Sequence, residues 1–419
     1  MLLTTTTGYQ AKRFAAAAER VGVDLVFGSD RCHVLNDPWR DGALPLQFEH
    51  PEEAAARIIE YAKSREIHGV VATGDSTPPT AARVCRALRL PFHSPDAADV
   101  CRDKSRSRER LQSAGLPVPA FIQIPITGNE APASGESPVG FPCVLKPLAF
   151  SASRGVIRAN TPDEFRQAFQ RIRAILRSPE ICGANEAESE FIQIESYVEG
   201  TEIAVEGVLE RGELQILAIF DKPDPLEGPC FEETIYVTPS RLQTEIQGRV
   251  AETVVRATKA LGLYHGPLHA EIRINARGVW PLEVAARPIG GLCAQALRFE
   301  RHGQSAKASL EELILRLALG EAVRDFRREE LASGVMMIPI GEGGVFEETE
   351  GADEARAVAG IDDIAITASP GQRFVPLPEG SSYLGFIFAR GDSPEFVERA
   401  LRTAHSKLRF RMAAALPVI

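Results

Sequence analysis

The chain has 419 residues with a net charge of −10, 44% hydrophobic and 25% charged; the length exceeds what one core organises, and the acidic balance argues against nucleic acid or an anionic membrane as partner. Seven cysteines, an odd number with no CxxC pair, specify neither a disulfide framework nor a zinc site. The start MLLTTTTGYQ lacks a basic leader, and no run of about 18 apolar residues occurs, so a cytoplasmic protein is expected.

Strand and helix signals alternate at first. MLLTTTTG reads as a strand, YQAKRFAAAAERVG as a helix, VDLVFGS as a strand, PEEAAARIIEYAKSRE as a helix and HGVVATGD as a strand, before the helical TPPTAARVCRALRLP. That order predicts a small doubly wound parallel sheet. Gly74 and Asp75 end its third strand, where such sheets place ligands. No G-x-G-x-x-G follows a strand, so a dinucleotide site is not expected.

From Asp96 to Pro119 one helix is predicted, stopped by Gly115 and Pro117. The Pro, Gly and Ser-rich ITGNEAPASGESPVG reads as an exposed loop. The strand FPCVLKP then carries Lys146 towards its end, and the small residues of AFSASRGV suit a loop whose amides close over phosphate oxygens, although most such turns bind nothing. After the helix TPDEFRQAFQRIRAIL come the strands FIQIESYVEG and TEIAVEGVL, with acidic Glu195, Glu199, Glu202 and Glu206. An edge strand here could offer its backbone to a purine and a carboxylate to ribose hydroxyls, and an acidic solvent face fits equally.

The helix RVAETVVRATKALG has Val250, Val254, Ala257 and Leu261 on one face and Gly262 as its stop. Next comes a hairpin. LHAEIRI alternates, and so does VWPLEVAAR. Pairing Ile274 with Trp280, Ile272 with Leu282 and Ala270 with Val284 makes one face apolar and sets Glu271 opposite Glu283, roughly 5 Å apart at Cβ. Such carboxylates repel and raise one pKa unless a cation intervenes, and as hard oxygen ligands they suit Mg²⁺. The residues alone fit two surface glutamates as well. Arg287 follows, then Gly290 and Gly291 before a predicted helix whose amides an anion could approach. VMMIPI and YLGFIFAR are strand-like, and Ser393-Pro394 opens a last helix.

DKSRSRERLQSAGLPVP, VLKPLAFSASRGV, ESYVEGTE, HAEIRI and LEVAARPIGG, in this order, resemble the motifs of the ATP-grasp superfamily over about residues 1 to 325, and the remainder resembles its L-amino-acid ligase (dipeptide synthase) branch. The resemblance implies an α/β chain: an N-terminal doubly wound parallel-sheet domain (1–96), small and large α+β ATP-binding subdomains (97–205 and 206–325) and a C-terminal α+β subdomain (326–419). It implies ATP and Mg²⁺, with Mn²⁺ as a substitute. Lys104 and Lys146 would hold phosphates under the Ser151–Val156 loop, which supplies Ser153, Arg154 and Gly155. Glu195, Ser196, Tyr197 and Val198 would take adenine, Glu202 the ribose, Glu271 and Glu283 the metal, and Arg287 the acyl phosphate or tetrahedral intermediate. Ala285 stands where many members have a metal-binding asparagine, a departure shared with the ligase branch. Glu233, His265, His269, Gly290 and Gly291 are substrate candidates. The implied reaction joins an amino acid or small carboxylic acid to an amine, releasing ADP and phosphate; a non-catalytic ATP-binding sensor and a bicarbonate-using carboxylase-like enzyme are the alternatives, and a homodimer stays open.

Overall fold

The computed structural model describes residues 1–5, 8–30, 43–126, 137–148, 150–178, 190–303 and 305–414. The first unit is the expected parallel sheet, with Leu44–Pro45, Phe27–Ser29, Leu2–Thr4 and Val71–Ala72 in that order and every pairing parallel. Helices Ala11–Val21, Pro51–Ala62 and Pro78–Leu88 accompany it. Leu44–Pro45 was not predicted. Its two residues are too few to show a period.

The predicted helix over 96–119 is two helices, Pro95–Arg102 and Lys104–Ser113. Asp103 separates them in an extended conformation (φ −89°, ψ 108°), and its carboxylate accepts the amides of Ser105 and Arg106 at 2.9 and 3.1 Å. An N-capping side chain competes for helical amides, and here that competition restarts the chain in a new direction. Lys104 becomes the first residue of the second helix.

A four-stranded antiparallel sheet follows in the order Phe121–Pro125, Phe191–Ser196, Cys143–Pro147 and Ile157–Ala159. The helix Pro162–Leu176, capped by the Thr161 hydroxyl, buries Phe165, Phe169 and Ile172 against it. Phe191–Ser196 is therefore an interior strand rather than an edge, since both neighbours already take its backbone groups. Of the loop expected over 126–140, residues 127–136 lie outside the described residues.

The largest sheet has eight strands, all antiparallel: Gly278–Ala285, Gly266–Asn275, Thr201–Glu210, Glu213–Asp221, Ile235–Thr238, Ala332–Ile338, Gly385–Gly391 and Ile361–Ile366. It runs without a break across position 325. Helix Thr244–Leu261, ended by Gly262 in the left-handed conformation (φ 74°), buries Val250, Val254, Ala257 and Leu261 against Leu268, Ala270 and Ile272. Each such valine or leucine contributes about 1.5–3 kcal/mol of apolar transfer. Helix Pro394–His405, capped by Ser393 as read from the sequence, packs Val397 and Leu401 under the later strands. Among the described residues no helix is long and apolar enough to cross a membrane.

The hairpin pairs Ala270 with Val284 and Glu271 with Glu283, as expected. Beyond that point the expected register fails: Ile272 faces Pro281 and Ile274 faces Val279, with a bulge between Glu271 and Ile272. Pro281 lacks an amide for the ladder, and Gly278–Ala285 is the sheet's edge strand, so both proline and bulge are tolerated there. The bulge leaves Leu282 as the extra residue, lining the cavity beside Glu283. The helix expected after Gly290-Gly291 is only a 3-10 turn, Cys293–Ala296, followed by the strand Arg298–Arg301.

Candidate active site

The three sheets and the C-terminal segment enclose a cavity of about 320 Å³. Lys104, Lys146, Ser151, Ser153, Val156, Glu195, Ser196, Tyr197, Val198, Glu202, Glu233, His269, Glu271, Glu283, Arg287, Gly290 and Gly291, all expected from sequence, line it. Arg154 and Gly155 do not. Arg154 donates from Nε to the Glu379 carbonyl at 2.8 Å and Gly155 from its amide to Pro378 at 2.9 Å, tying the loop to the C-terminal unit. His265 also lies elsewhere, buried with Nε2 3.1 Å from the Leu317 carbonyl. Of the four acidic residues on the two strands, Glu195, Glu202 and Glu206 are buried, and only Glu199 faces solvent.

Two lysines approach from different elements. Lys104 donates to the Phe150 carbonyl at 2.7 Å and sits 4.0 Å from Glu283. Lys146 is 2.5 Å from Glu195, which also receives Arg108 at 2.8 and 3.3 Å and Gln193 at 2.7 Å. Burial pushes the Glu195 carboxyl up, but Arg108 and Lys146 more than offset it and hold it at about 2. With those partners its side chain orients Lys146. The backbone past Ser196 is what remains for a flat heterocycle, and there Tyr197 stacks on Phe231 at 6.4 Å.

Alternation along Gly266–Asn275 turns His269, Glu271 and Arg273 into the cavity while Leu268, Ala270 and Ile272 enter the core. Lys222, which the sequence reading missed, sits beneath them. Its side chain is 3% exposed, and its ammonium is 2.8 Å from Glu202 and 3.5 Å from Glu271, with Glu233 also in contact. Burial opposes its charge, yet Glu202, Glu233 and Glu271 raise its pKa well above the usual lysine value. Burial likewise opposes the Glu271 charge, but Lys222 and His269 hold its carboxyl well below the usual range. Each of the two facing carboxylates thus has an ammonium of its own beside it, Lys222 at Glu271 and Lys104 at Glu283. Glu202 also accepts Arg273 at 2.8 Å, and Glu233 accepts the Tyr236 hydroxyl at 2.8 Å while burial raises its carboxyl.

Burial would lower His269, but hydrogen bonds to Glu206 and Glu271 lift it to about 9. Its Nδ1 is 3.1 Å from Glu206, a fully buried carboxylate that also accepts the Ile289 amide at 3.1 Å. Arg287 forks onto Asp75 at 2.7 and 3.1 Å, joining the hairpin to the end of the N-terminal sheet. Ala285 is buried opposite His269.

The ATP-grasp domain family matches residues 139–296 and its N-terminal domain matches 15–92, together covering the cavity's main walls. The chain belongs to the ATP-grasp superfamily. Residues 336–413 match L-amino acid ligase C-terminal domain 2, so the C-terminal part of this ATP-grasp chain is similar to the ligase branch that its sequence resembles. The crystal structure of L-amino acid ligase from Bacillus licheniformis superimposes with a TM-score of 0.81 at 25% identity, covering 98% of both chains. Alanine–anticapsin ligase of Bacillus subtilis is 27% identical over 66% of this chain, which spans 61% of that protein. Human carnosine synthase 1 is 26% identical over 72% of this chain, which spans 38% of it.

The donor set fits a nucleotide and a hard divalent cation. Glu202, Glu233 and Glu271 hold oxygens within 4.8 Å of one another, but Lys222 already serves that group. The cavity-facing sides of Glu271 and Glu283 are the oxygens left for a metal, beside the two phosphate-binding lysine candidates.

Proposed function

We propose that the chain is an ATP-dependent carboxylate–amine ligase that joins an amino acid or small carboxylic acid to an amine through an acyl phosphate. The observation that carries this is convergence: Lys104 and Lys146, Glu271 facing Glu283, and Arg287 line one cavity although they come from separate parts of the chain. A carboxylate is a poor electrophile, so it must be activated first. One of its oxygens attacks the γ-phosphorus of ATP, the bond to the leaving ADP oxygen breaks, and an acyl phosphate forms. The amine nitrogen then attacks the acyl carbon, the carbon–oxygen bond to phosphate breaks, and the nitrogen gives up a proton. The products are an amide, ADP and phosphate.

The residues' task is positioning and charge neutralisation. Lys104 and Lys146 would face the phosphate oxygens. Arg287, a planar fork already aimed by Asp75, would stabilise the charge that develops at the acyl group. His269 stays protonated below about pH 9 and adds a fixed positive charge beside Glu271. Glu271 and Glu283 would hold Mg²⁺, which when bound draws negative charge from phosphate oxygens. The Ser151–Val156 loop, fastened to Pro378 and Glu379, would keep water from an acyl phosphate.

Nucleotide chromatography after turnover, with hydroxylamine present, tests the reading. ADP with a hydroxamate is expected, and stoichiometric AMP would overturn the mechanism. The same assay speaks against a non-catalytic nucleotide sensor, which has little need of Arg287 beside two metal carboxylates. Within that reading Arg287 touches the reacting atoms, while Glu195 and Asp75 act by positioning Lys146 and Arg287.

A further inference from the structure

The cavity has two walls of unlike chemistry on either side of the charged hairpin face. Val144, Lys146, Tyr197 and Val198 form one, next to the small antiparallel sheet. The other is made by Tyr9, Ile289, Gly290, Cys293, Met337 and Tyr383. Most of these belong to, or pack against, the core beneath the N-terminal unit, where Phe386 backs them with its ring 5.4 Å from Tyr9 and 6.0 Å from Tyr383. None of the six carries a charge at neutral pH. Burial pushes the Cys293 thiol far up, and the Tyr9 hydroxyl is engaged by Thr367 and the backbone of Tyr383. The charges nearest to this wall are already paired: Glu206, which accepts the Ile289 amide, with His269, Arg287 with Asp75, and Lys222 with Glu233.

A charged ligand group entering such a wall would lose its water without gaining a partner, whereas an apolar group loses nothing of that kind. The two glycines differ in what they allow. Gly291 has φ +60°, and a Cβ there would come within 2.9 Å of Phe386, so its place is fixed by packing. A Cβ at Gly290 meets nothing within 4 Å, so this residue borders open cavity and its missing side chain leaves room for a ligand.

We propose that this wall is the subsite for the uncharged apolar side chain, aliphatic, thioether or aromatic, of one of the two joined amino acids. The proposal rests on the ligase reading for the word "joined". It commits the site to leucine, methionine or phenylalanine over aspartate or lysine, because a site of this kind rejects charge far more strongly than it counts methylenes, each worth about 10–200-fold.

Two readouts on the full chain keep the subsite apart from the ligase reading. Calorimetric titration of single amino acids in the presence of ADP and Mg²⁺ tests the subsite without turnover. Leucine or phenylalanine should bind at least about tenfold more tightly than aspartate or lysine. Gly290→Val should raise the ratio of alanine to phenylalanine affinity at least tenfold, and Met337→Ala should shift preference the other way, towards tryptophan. Two variants with opposite expected shifts keep the test open should one fail to fold, which thermal denaturation would reveal. Preference for a charged side chain, or ratios unmoved in both variants, overturns the subsite. Phosphate release from the same amino acids in pairs reads the ligase reaction separately. Apolar binding without release of phosphate or amide from any pair would overturn the ligase reading and leave the subsite standing as a binding site.

Discussion

Lys222→Met would remove a buried ammonium from the middle of three carboxylates and keep most of its apolar volume. Glu202 would retain Arg273 at 2.8 Å and Glu271 would retain His269 at 3.9 Å, but Glu233 would be left with the Tyr236 hydroxyl alone. Breaking a buried pair from one side costs about 3–5 kcal/mol. Because two of the three carboxylates keep a cation, the lower end, about 3 kcal/mol at pH 8, is the expected loss.

The pH dependence has a definite sign. The raised Lys222 pKa means its contribution is fully present below about 10.5 and is lost only as pH climbs through the higher folded value, so the wild type draws evenly on it from pH 5 to 8. In the variant the burden falls on Glu233, whose folded pKa is raised by burial and would lose the offset from Lys222. A carboxyl raised on folding stabilises at low pH and loses that contribution as pH rises. The gap between variant and wild type in urea denaturation should therefore be widest at pH 8 and narrow towards pH 5. A divalent cation should also recover part of the loss, since the oxygens of Glu202, Glu233 and Glu271, within 4.8 Å of one another, would have lost the ammonium they share; at a hundred times its Kd an ion returns about 2.7 kcal/mol. Equal denaturation midpoints for variant and wild type at pH 8, with no response to pH or metal, would refute this account of the cluster.

Glu283→Ala should abolish turnover at ordinary Mg²⁺ concentrations with an unchanged circular dichroism spectrum, because the side chain is 33% exposed in the cavity and its nearest cation, Lys104, is 4.0 Å away. Arg287→Lys keeps a charge but loses the two-pronged contact with Asp75, so steady-state kinetics should show kcat falling far more than the KM for ATP rises; an effect confined to ATP affinity would move Arg287 to the nucleotide site. His269 gains its proton partner on folding, so its contribution to stability is complete below about pH 6.5 and disappears as pH rises through about 9; His269→Gln should flatten that slope in denaturation curves collected across the window.

Much of the site was legible because some of its contacts are local. Glu271 and Glu283 are partners in a hairpin, and period-two alternation alone sets them opposite each other. The bulge after them was not legible, since it depends on Pro281 occupying an edge strand, and sheet order is a property of the whole fold. The break at Asp103 had a visible cause, an aspartate able to cap the following turn, but residues 102–110 carry no apolar side chain, so no shift in hydrophobic period marked the restart. Asp75 was seen at a strand end without a role. Its partner Arg287 is 212 positions away, and only topology brings them together. Lys222 left no local signal either. It follows the strand Glu213–Asp221, where a lysine reads as a solvated end, and the carboxylates that bury it come from three other segments.

The charged pairs in the cavity divide by tightness, and the division separates side chains already held in place from those with capacity to spare. Arg108 with Glu195, Arg273 with Glu202 and Arg287 with Asp75 meet at 2.7–2.8 Å, and Lys146 and Lys222 are held at 2.5 and 2.8 Å or closer. Lys104 and Glu283 stand apart at 4.0 Å with side chains 14% and 33% exposed, and Lys104 meanwhile rests on the Phe150 carbonyl. A tightly paired charge gains little from a ligand because it must first leave its partner, whereas a loosely paired one in a cavity has unused capacity. Lys104 and Glu283 are opposite in sign and adjacent, the combination that a phosphate and a divalent cation arriving together would use. The tight pairs around them hold Lys146 and Arg287 at fixed positions, so that binding needs few rearrangements beyond the loose contacts of Glu283 and of Glu271, whose cations Lys222 and His269 are 3.5 and 3.9 Å away.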